Sequence, residues 1–305
     1  MPYLYPLVPE SHRQGFWDRC RFYRSCLTDH YRFKYVGYAE ALGNLYRNLG
    51  RSYSWLSLGE VRRRFKRSDT VFIPGSGVSL NALGPAQFAE IERHEAFGVN
   101  FSFLKRQIRS TYHSFAWEGR DPESNVLMAQ HLQRDGGAVK DAVLFHNEKF
   151  LGRLGHPWLT PTFFPPRPRM CMYFQPPAIE IEDERPFTDA DFDRSLFYRG
   201  SLTLVLQACV TLGYRRIVLL GIDPQTIHHF YDDLPEMSAY CAMIYARARA
   251  ENRTVFEGMV PKRHKSRTID DYFRAAAEYL ARRRKITLFA ATRDSFLGRD
   301  LPAYF

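Results

Sequence analysis

The chain has 305 residues, of which 45% are hydrophobic and 25% charged, values that are ordinary for a globular protein and exclude a largely disordered one. This length accommodates one large α/β domain, or one such domain with a small appendage. The formal net charge of +10 and the pI near 9.4 favour an anionic partner and leave open a nucleotide, a lipid headgroup or a nucleic acid.

Cysteine usage and hydropathy predict the compartment. The five cysteines are odd in number and include no C-x-x-C pair, which predicts free thiols in a reducing compartment. The first residues lack the basic and apolar regions of a signal peptide, and no apolar run approaches the roughly 20 residues of a membrane-spanning helix. We therefore expect a cytoplasmic protein. The basic surface leaves open a peripheral contact with an anionic membrane at its inner face.

Residues 1–68 differ in composition from the rest of the chain. They are rich in aromatic and arginine side chains, and they end in a basic run at 61–67. We expect a helical N-terminal extension, followed by one domain over 69–305. Two interpretations of the extension stay open: an appendage that binds an acceptor or faces a membrane, and a helical layer that packs its aromatic side chains on the core.

Strands and helices alternate over residues 69–305. The predicted strands are 69–73, 97–101, 142–145, 170–174, 216–220 and 285–290. The predicted helices are 85–94, 201–212, which Gly213 ends, and 269–284. The polar stretch 102–140 is expected to be helical with a loop, and the Pro-rich stretch 156–177 to be extended. This alternation predicts an α/β fold with a mostly parallel, Rossmann-like sheet flanked by helices.

A glycine-rich turn, 75–80, follows the first strand of this domain and precedes its first helix. Glycines let the backbone approach a phosphate or a ribose, and the start of a helix favours an anion. The turn lacks both the spacing of the dinucleotide fingerprint and the lysine of a P-loop. An ordinary tight strand–helix turn therefore stays an alternative.

Polar side chains stand where four of the predicted strands end. They are Ser76, Asn100, Asn147 and Asp223. In an open α/β sheet, ligands bind beyond the carboxyl ends of the strands, where asparagine can both donate and accept hydrogen bonds. Capping of a loop is the alternative explanation for each residue taken singly. Their occurrence at successive strand ends favours a shared ligand site.

Several segments resemble the bacterial lipo-oligosaccharide sialyltransferases, a family that uses CMP-sialic acid. The similarity is greatest over 199–223, where the family has an arginine, a serine that begins a helix and a strand that closes in Gly-Ile-Asp. The turn 75–80 resembles the family's nucleotide turn G-N-G-P-S-L, with Ser76 in place of asparagine and Val78 in place of proline. The similar segments keep the family's order along residues 70–295.

The resemblance implies a variant GT-A fold with a lid at about 224–265. It also implies transfer of a keto-acid sugar from a CMP-sugar with inversion, without a metal or a cofactor. His264 stands where the family has its general base, and a surface histidine in a basic stretch stays the alternative. Tyr231 stands where a tyrosine stabilises the departing CMP phosphate. Arg199 stands near the sugar carboxylate or that phosphate, and a surface ion pair stays its alternative. Gln225 replaces a second tyrosine. The implied donor-binding residues are Gly75, Ser76, Gly77, Ser79, Asn100, Asn147, Ser201, Gly221, Asp223 and Gln225.

The implied partners are a CMP-activated sugar and a glycan or glycolipid acceptor, as in lipopolysaccharide or capsule biosynthesis; a homo-oligomer stays open. His228, His229 and Asp232 suggest a metal site by composition, but adjacent histidines point to opposite faces in most backbones, so no metal site is predicted.

Two other classes of function stay open. One is an enzyme on a related nucleotide fold with another donor or pyrophosphoryl chemistry; the other is a non-catalytic basic binding module. The chain carries no recognisable nucleic-acid motif, so nucleic acid is not an expected partner.

Overall fold

The computed structural model describes residues 54–115, 131–132, 139–147, 169–173, 188, 192, 200–251, 254 and 268–305. The described parts of Lys66–Ser110 and Pro176–Phe305 form one compact unit, unit 1. Those of Pro2–Phe65 and Thr111–Gln175 form unit 2. The division into an extension, 1–68, and one domain, 69–305, stays a prediction.

The helices and strands, in chain order, are β1 (Ser54–Trp55), α1 (Leu58–Phe65), β2 (Thr70–Pro74), α2 (Pro85–Glu92), β3 (Glu95–Val99), β4 (Tyr112–Ser114), β5 (Val143–Asn147), β6 (Arg169–Tyr173), α3 (Ser201–Leu212), β7 (Arg216–Leu220), α4 (Ser238–Ala250), α5 (Ile269–Tyr279) and β8 (Thr287–Ala290). Short 3-10 turns are Val78–Ala82, Asn100–Leu104, Pro235–Met237 and Phe296–Arg299, and a π-helical turn, Leu280–Arg284, continues α5.

The sheet of unit 1 is parallel in every pair, with the strand order β3-β2-β7-β8. Every residue of β2 and β3 is buried, and so are four of the five residues of β7. Strands covered on both faces need such continuous apolar runs, because helices pack on either side of a parallel sheet. The predicted Rossmann-like α/β fold is confirmed.

The chain changes direction within this sheet between β2 and β7. From β2 it passes through α2 to β3 on one side, and from β7 through α5 to β8 on the other. Strands β2 and β7 pair in register along their whole length, from Thr70 opposite Arg216 to Pro74 opposite Leu220. Ligands of open α/β sheets bind at such a switch point, outside the carboxyl ends of the two strands. The segments that follow Pro74 and Leu220 therefore occupy the expected site.

Unit 2 has its own parallel strands, in the order β1-β6-β5-β4. Strand β4 corrects the sequence prediction, which treated 102–140 as helical with a loop. Its three residues, Tyr112, His113 and Ser114, are all buried but form no apolar run, so neither periodicity nor hydropathy marks them as a strand. Pairing with β5 supplies the order that local sequence does not.

Local signals account for the ends of the two helices beside the site. Helix α3 ends at Gly213, whose φ of 85° is left-handed, and Tyr214 N donates to Cys209 O at 3.1 Å, as in a Schellman motif. Helix α5 begins after Thr268, which forms a capping box with Asp271. The starts of α3 and α5 and the end of α3 agree with the prediction. Helix α4 forms in the polar stretch after Asp223, for which the sequence predicts no strand.

Three cysteines of the described chain, Cys171, Cys209 and Cys241, are free and buried. None of the helices in the described ranges is both long and apolar enough to cross a membrane. Helix α1 carries part of the basic run, with Arg62, Arg63 and Arg64 exposed. The rest of the predicted extension, residues 1–53, lies outside the described residues.

Candidate functional site

The glycine turn after β2 and the Gly-Ile-Asp segment after β7 are in direct contact. Gly75 N donates to Leu220 O at 2.8 Å, and Gly77 N donates to Gly221 O at 2.8 Å. These bonds continue the pairing of the two strands past their carboxyl ends. Two motifs that are distant in sequence thus form one piece of main-chain structure.

Steric contact explains the glycines at these positions. A Cβ atom on Gly75 would lie 2.5 Å from Ile222 Cδ1, and one on Gly77 would lie 2.3 Å from Asp223 Oδ2. Gly221 has a φ of +59°, and its Cβ would lie 2.4 Å from Leu80 Cγ. Real Cβ atoms do not approach other atoms so closely, so any side chain here would push the two segments apart.

The carboxylate of Asp223 fixes the turn from the opposite strand. Asp223 Oδ2 accepts from Ser79 N at 2.7 Å, and Oδ1 accepts from Ser79 Oγ at 2.9 Å. Asp223 is 8% exposed, so this charge-assisted pair is largely shielded from water. Two predicted ligand residues, Ser79 and Asp223, therefore bind each other.

A third segment, which follows Asp223, closes the site. Phe230 N donates to Ser76 O at 3.0 Å, and Gly77 forms an isolated antiparallel bridge with His229. Asn81 Nδ2 donates to Phe230 O at 3.0 Å. The glycine turn is therefore held on one side by the end of β7 and on the other by the segment around His229.

These three segments enclose a pocket of about 70 Å³. Its polar wall contains Ser76 from the turn, Asp223 after β7, and Thr226, His228 and His229 from the third segment. Gly77, the residues around Gly221, Leu202 of α3 and Ile269 of α5 complete the lining. The structure thus brings the predicted residues Ser76, Gly77, Gly221 and Asp223 to one pocket.

Asp232 is the centre of a hydrogen-bond cluster beside the pocket. Its Oδ2 accepts from His228 Nδ1 at 3.0 Å and from the Tyr245 hydroxyl, and Cys241 Sγ donates to Oδ1 at 3.5 Å. Burial raises the pKa of Asp232, but the hydrogen bonds from Tyr245 and His228 outweigh it and lower the pKa below its usual value. Asp232 is therefore an anion at neutral pH.

The neighbouring residues His229 and Tyr231 are held by aromatic packing. Their rings stack at a centroid distance of 4.8 Å and an angle of 23°. Tyr231 is 3% exposed and also packs on Phe101, at 5.6 Å. Burial lowers the pKa of His229 and raises that of Tyr231, so both are neutral at neutral pH. Tyr231 is part of this cluster and is not among the described residues that line the pocket.

The other predicted site residues of unit 1 have different surroundings. Asn100 has a φ of 47°, a left-handed conformation in which asparagine is enriched, and its Nδ2 donates to Ser201 Oγ at 3.4 Å. Asn100 and Ser201 therefore contact each other, and among the described residues they are not part of the pocket lining. Gln225 is exposed and also lies outside that lining.

Three predicted residues cannot be related to the pocket. His264 and Arg199 lie outside the described residues. Asn147 is the last residue of β5 in unit 2, opposite Tyr173 of β6, and only its main chain is described. The roles of all three stay predictions.

The sequence predicts no metal site at His228 and His229 and does not mark them as ligand-binding residues. Within the described ranges, no group of three or more His, Cys, Asp and Glu side chains is arranged to hold a metal ion. The signal that could have found them is position, because Thr226, His228 and His229 closely follow the strand-end residue Asp223. Their return to the glycine turn depends on main-chain contacts that no local pattern encodes.

No family model matches the chain, and no curated protein matches it. Among solved structures, it is similar to the monofunctional alpha-2,3-sialyltransferase Cst-I from Campylobacter jejuni, with 16% identity, coverage of 78% of this chain and 80% of that one, and a TM-score of 0.41. It is also similar to the sialyltransferase CstII from Campylobacter jejuni in complex with the substrate analogue CMP-3FNeuAc, with 13% identity, coverage of 77% and 86%, and a TM-score of 0.46. For the sialyltransferase CST-II with a trisaccharide acceptor and CMP, the identity is 14%, the coverage 77% and 85%, and the TM-score 0.41.

Proposed function

We propose that the chain is a glycosyltransferase that moves a keto-acid sugar, sialic acid or a similar sugar, from a CMP-sugar to a hydroxyl of a glycan or glycolipid. The observation that carries this proposal is the contact of the glycine turn with Gly221 and Asp223 at the switch point of β2 and β7. These are two of the segments through which the sequence resembles the CMP-sialic-acid-dependent family. Their joining at the position where open α/β sheets bind ligands supports a shared donor site.

The pocket is suited to one part of the donor. Its polar side chains, among them Ser76, Thr226 and His228, can donate to or accept from a phosphate or a ribose. We expect it to take a phosphate or a ribose beside Ser76 and Gly77. The remaining contacts with the CMP-sugar are proposed to come from Arg199, Asn147 and Gln225, together with the lid.

The proposed reaction is a single displacement with inversion and without a metal. The acceptor oxygen attacks the anomeric carbon as the bond from that carbon to the phosphate oxygen breaks, and CMP leaves with the electron pair. His264 takes the proton of the acceptor hydroxyl, because an imidazole suits proton transfer near neutral pH. Arg199 is proposed to stabilise the leaving phosphate or the sugar carboxylate, and Tyr231 to assist the departure of CMP.

We also propose that the protein acts in the cytoplasm at the inner face of the membrane, where a glycolipid acceptor would be available. The net charge of +10 and the exposed arginines of α1 support a contact with anionic headgroups. Co-sedimentation with vesicles that contain anionic lipid tests this part separately. Binding that is unaffected by the anionic lipid content would contradict it.

The decisive experiment for the donor is calorimetric titration in EDTA with CMP, UMP, AMP and GMP, followed by assay of CMP-sialic acid hydrolysis. We expect CMP to bind without added metal and CMP-sialic acid to be turned over. Absence of CMP binding at millimolar concentration would overturn the proposal. Preference for another nucleotide, or a need for a divalent metal, would favour a related nucleotide enzyme instead.

A further inference from the structure

We propose that His228, positioned by Asp232, forms a phosphate subsite in this pocket and contacts the phosphate that leaves with CMP. This inference rests on the proposed function, since CMP is its ligand. It assigns the pocket to the phosphate rather than to the ribose. It also gives a role to a residue for which the resemblance implies none.

The composition of the described lining favours such a group. Asp223 is the charged side chain of the described lining, which contains neither lysine nor arginine. Both oxygens of Asp223 already accept hydrogen bonds from Ser79. Within the described lining, the two histidines are therefore the side chains best suited to donate to a phosphate.

The two histidines are not equivalent. His229 is stacked on Tyr231, and burial lowers its pKa, so it is neutral. The side chain of His228 is 62% exposed, and its Nδ1 lies 3.0 Å from the anionic Asp232. His228 is therefore the histidine of the pocket that is both accessible to a ligand and oriented by a carboxylate.

Hydrogen bonding sets the direction of the His228 ring. With Nδ1 directed to Asp232, the other ring nitrogen, Nε2, is left to contact a phosphate oxygen. The Tyr245 hydroxyl and Cys241 Sγ hold Asp232 from its other sides. His228 N donates to Thr226 Oγ1 at 3.1 Å, which fixes the main chain. Asp232 is accordingly a positioning residue, and His228 is the group that contacts the ligand.

The test compares CMP with cytidine, which differ by the phosphate alone, using calorimetric titration in EDTA. His228→Gln keeps a polar side chain at this exposed position but removes the imidazole that Asp232 orients. We expect it to weaken CMP binding about tenfold, as for loss of one hydrogen bond to a charged group, and to leave cytidine binding unchanged. Asp232→Asn should weaken CMP binding less and should likewise spare cytidine.

The chain offers a matched control. His94 Nε2 lies 3.2 Å from Glu90 Oε1, another histidine–carboxylate pair four residues apart, at the end of α2. His94→Gln should change neither affinity. Unchanged CMP affinity in His228→Gln overturns the phosphate subsite while CMP binding by the wild type still supports the donor proposal. Equal affinity of the wild type for CMP and cytidine also overturns it, and wild type that binds no CMP overturns both proposals.

Discussion

The two walls of the pocket are built in different ways. The glycine turn, 75–80, is held by main-chain hydrogen bonds and by contacts that leave no room for a Cβ atom. The histidine wall, defined as 226–232, is held by side chains gathered around Asp232. We infer that the first wall fixes shape and tolerates few substitutions, whereas the second determines which ligand group the pocket accepts.

Gly77→Ala should have the largest effect and probes the claim that the turn fixes shape. The added Cβ would lie 2.3 Å from Asp223 Oδ2 and 2.7 Å from Gly221 O, so the turn and the β7 end must separate. We expect the free energy of unfolding in urea to fall by about 2–3 kcal/mol, within the range for overpacked sites, and CMP binding to be lost.

Gly59→Ala is the matched control for that substitution. A Cβ on Gly59, in α1, would meet its nearest atom at 3.6 Å, and alanine favours a helix by about 1 kcal/mol. Stability should therefore stay the same or rise. A similar loss of stability in both variants would mean that the turn is not specially intolerant.

Asp223→Asn should have an intermediate effect on stability. It tests whether the carboxylate stabilises the glycine turn through Ser79. An amide has one accepting oxygen where the carboxylate uses two, so the bond with Ser79 Oγ must reverse and both bonds lose the carboxylate charge. We expect a loss of about 1–2 kcal/mol in unfolding free energy, and Ser79→Ala should lose less. In a double-mutant cycle the two losses should not add. Full additivity would contradict the pairing.

The smallest expected effect is on the pH dependence of stability, through the burial of His229 in the histidine wall. Because burial lowers its pKa, the unfolded chain binds this proton more readily than the folded protein between the folded pKa and about 6.5. Stability should consequently decrease as the pH falls below about 6.5. Urea midpoints at about pH 7.5 and about pH 5.5 should differ less in His229→Gln than in the wild type. An equal difference would mean that His229 does not contribute.

The sequence predicts the first wall far better than the second. Strands β2 and β7 are apolar runs bounded by turn residues, Gly213 ends α3, and Thr268 caps α5, so local rules suffice. Ser79 and Asp223 are 144 positions apart, and the sequence predicts only that both belong to the same site. It does not predict that they bind each other. The histidine wall forms only because the chain returns to the glycine turn after β7. Likewise, the three residues of β4 form a strand only because they pair with β5.

Main-chain contact between the turn and β7 also bears on how this unit folds. Gly75 and Gly77 find their acceptors in Leu220 and Gly221, so the turn cannot take its final form until the chain has been synthesised and ordered beyond that strand. Contacts at such sequence separation must close a long loop before they stabilise anything, and they form late. Ligand binding at the pocket would then report that unit 1 has completed folding. A nascent chain that ends before β7 should be unable to bind the donor.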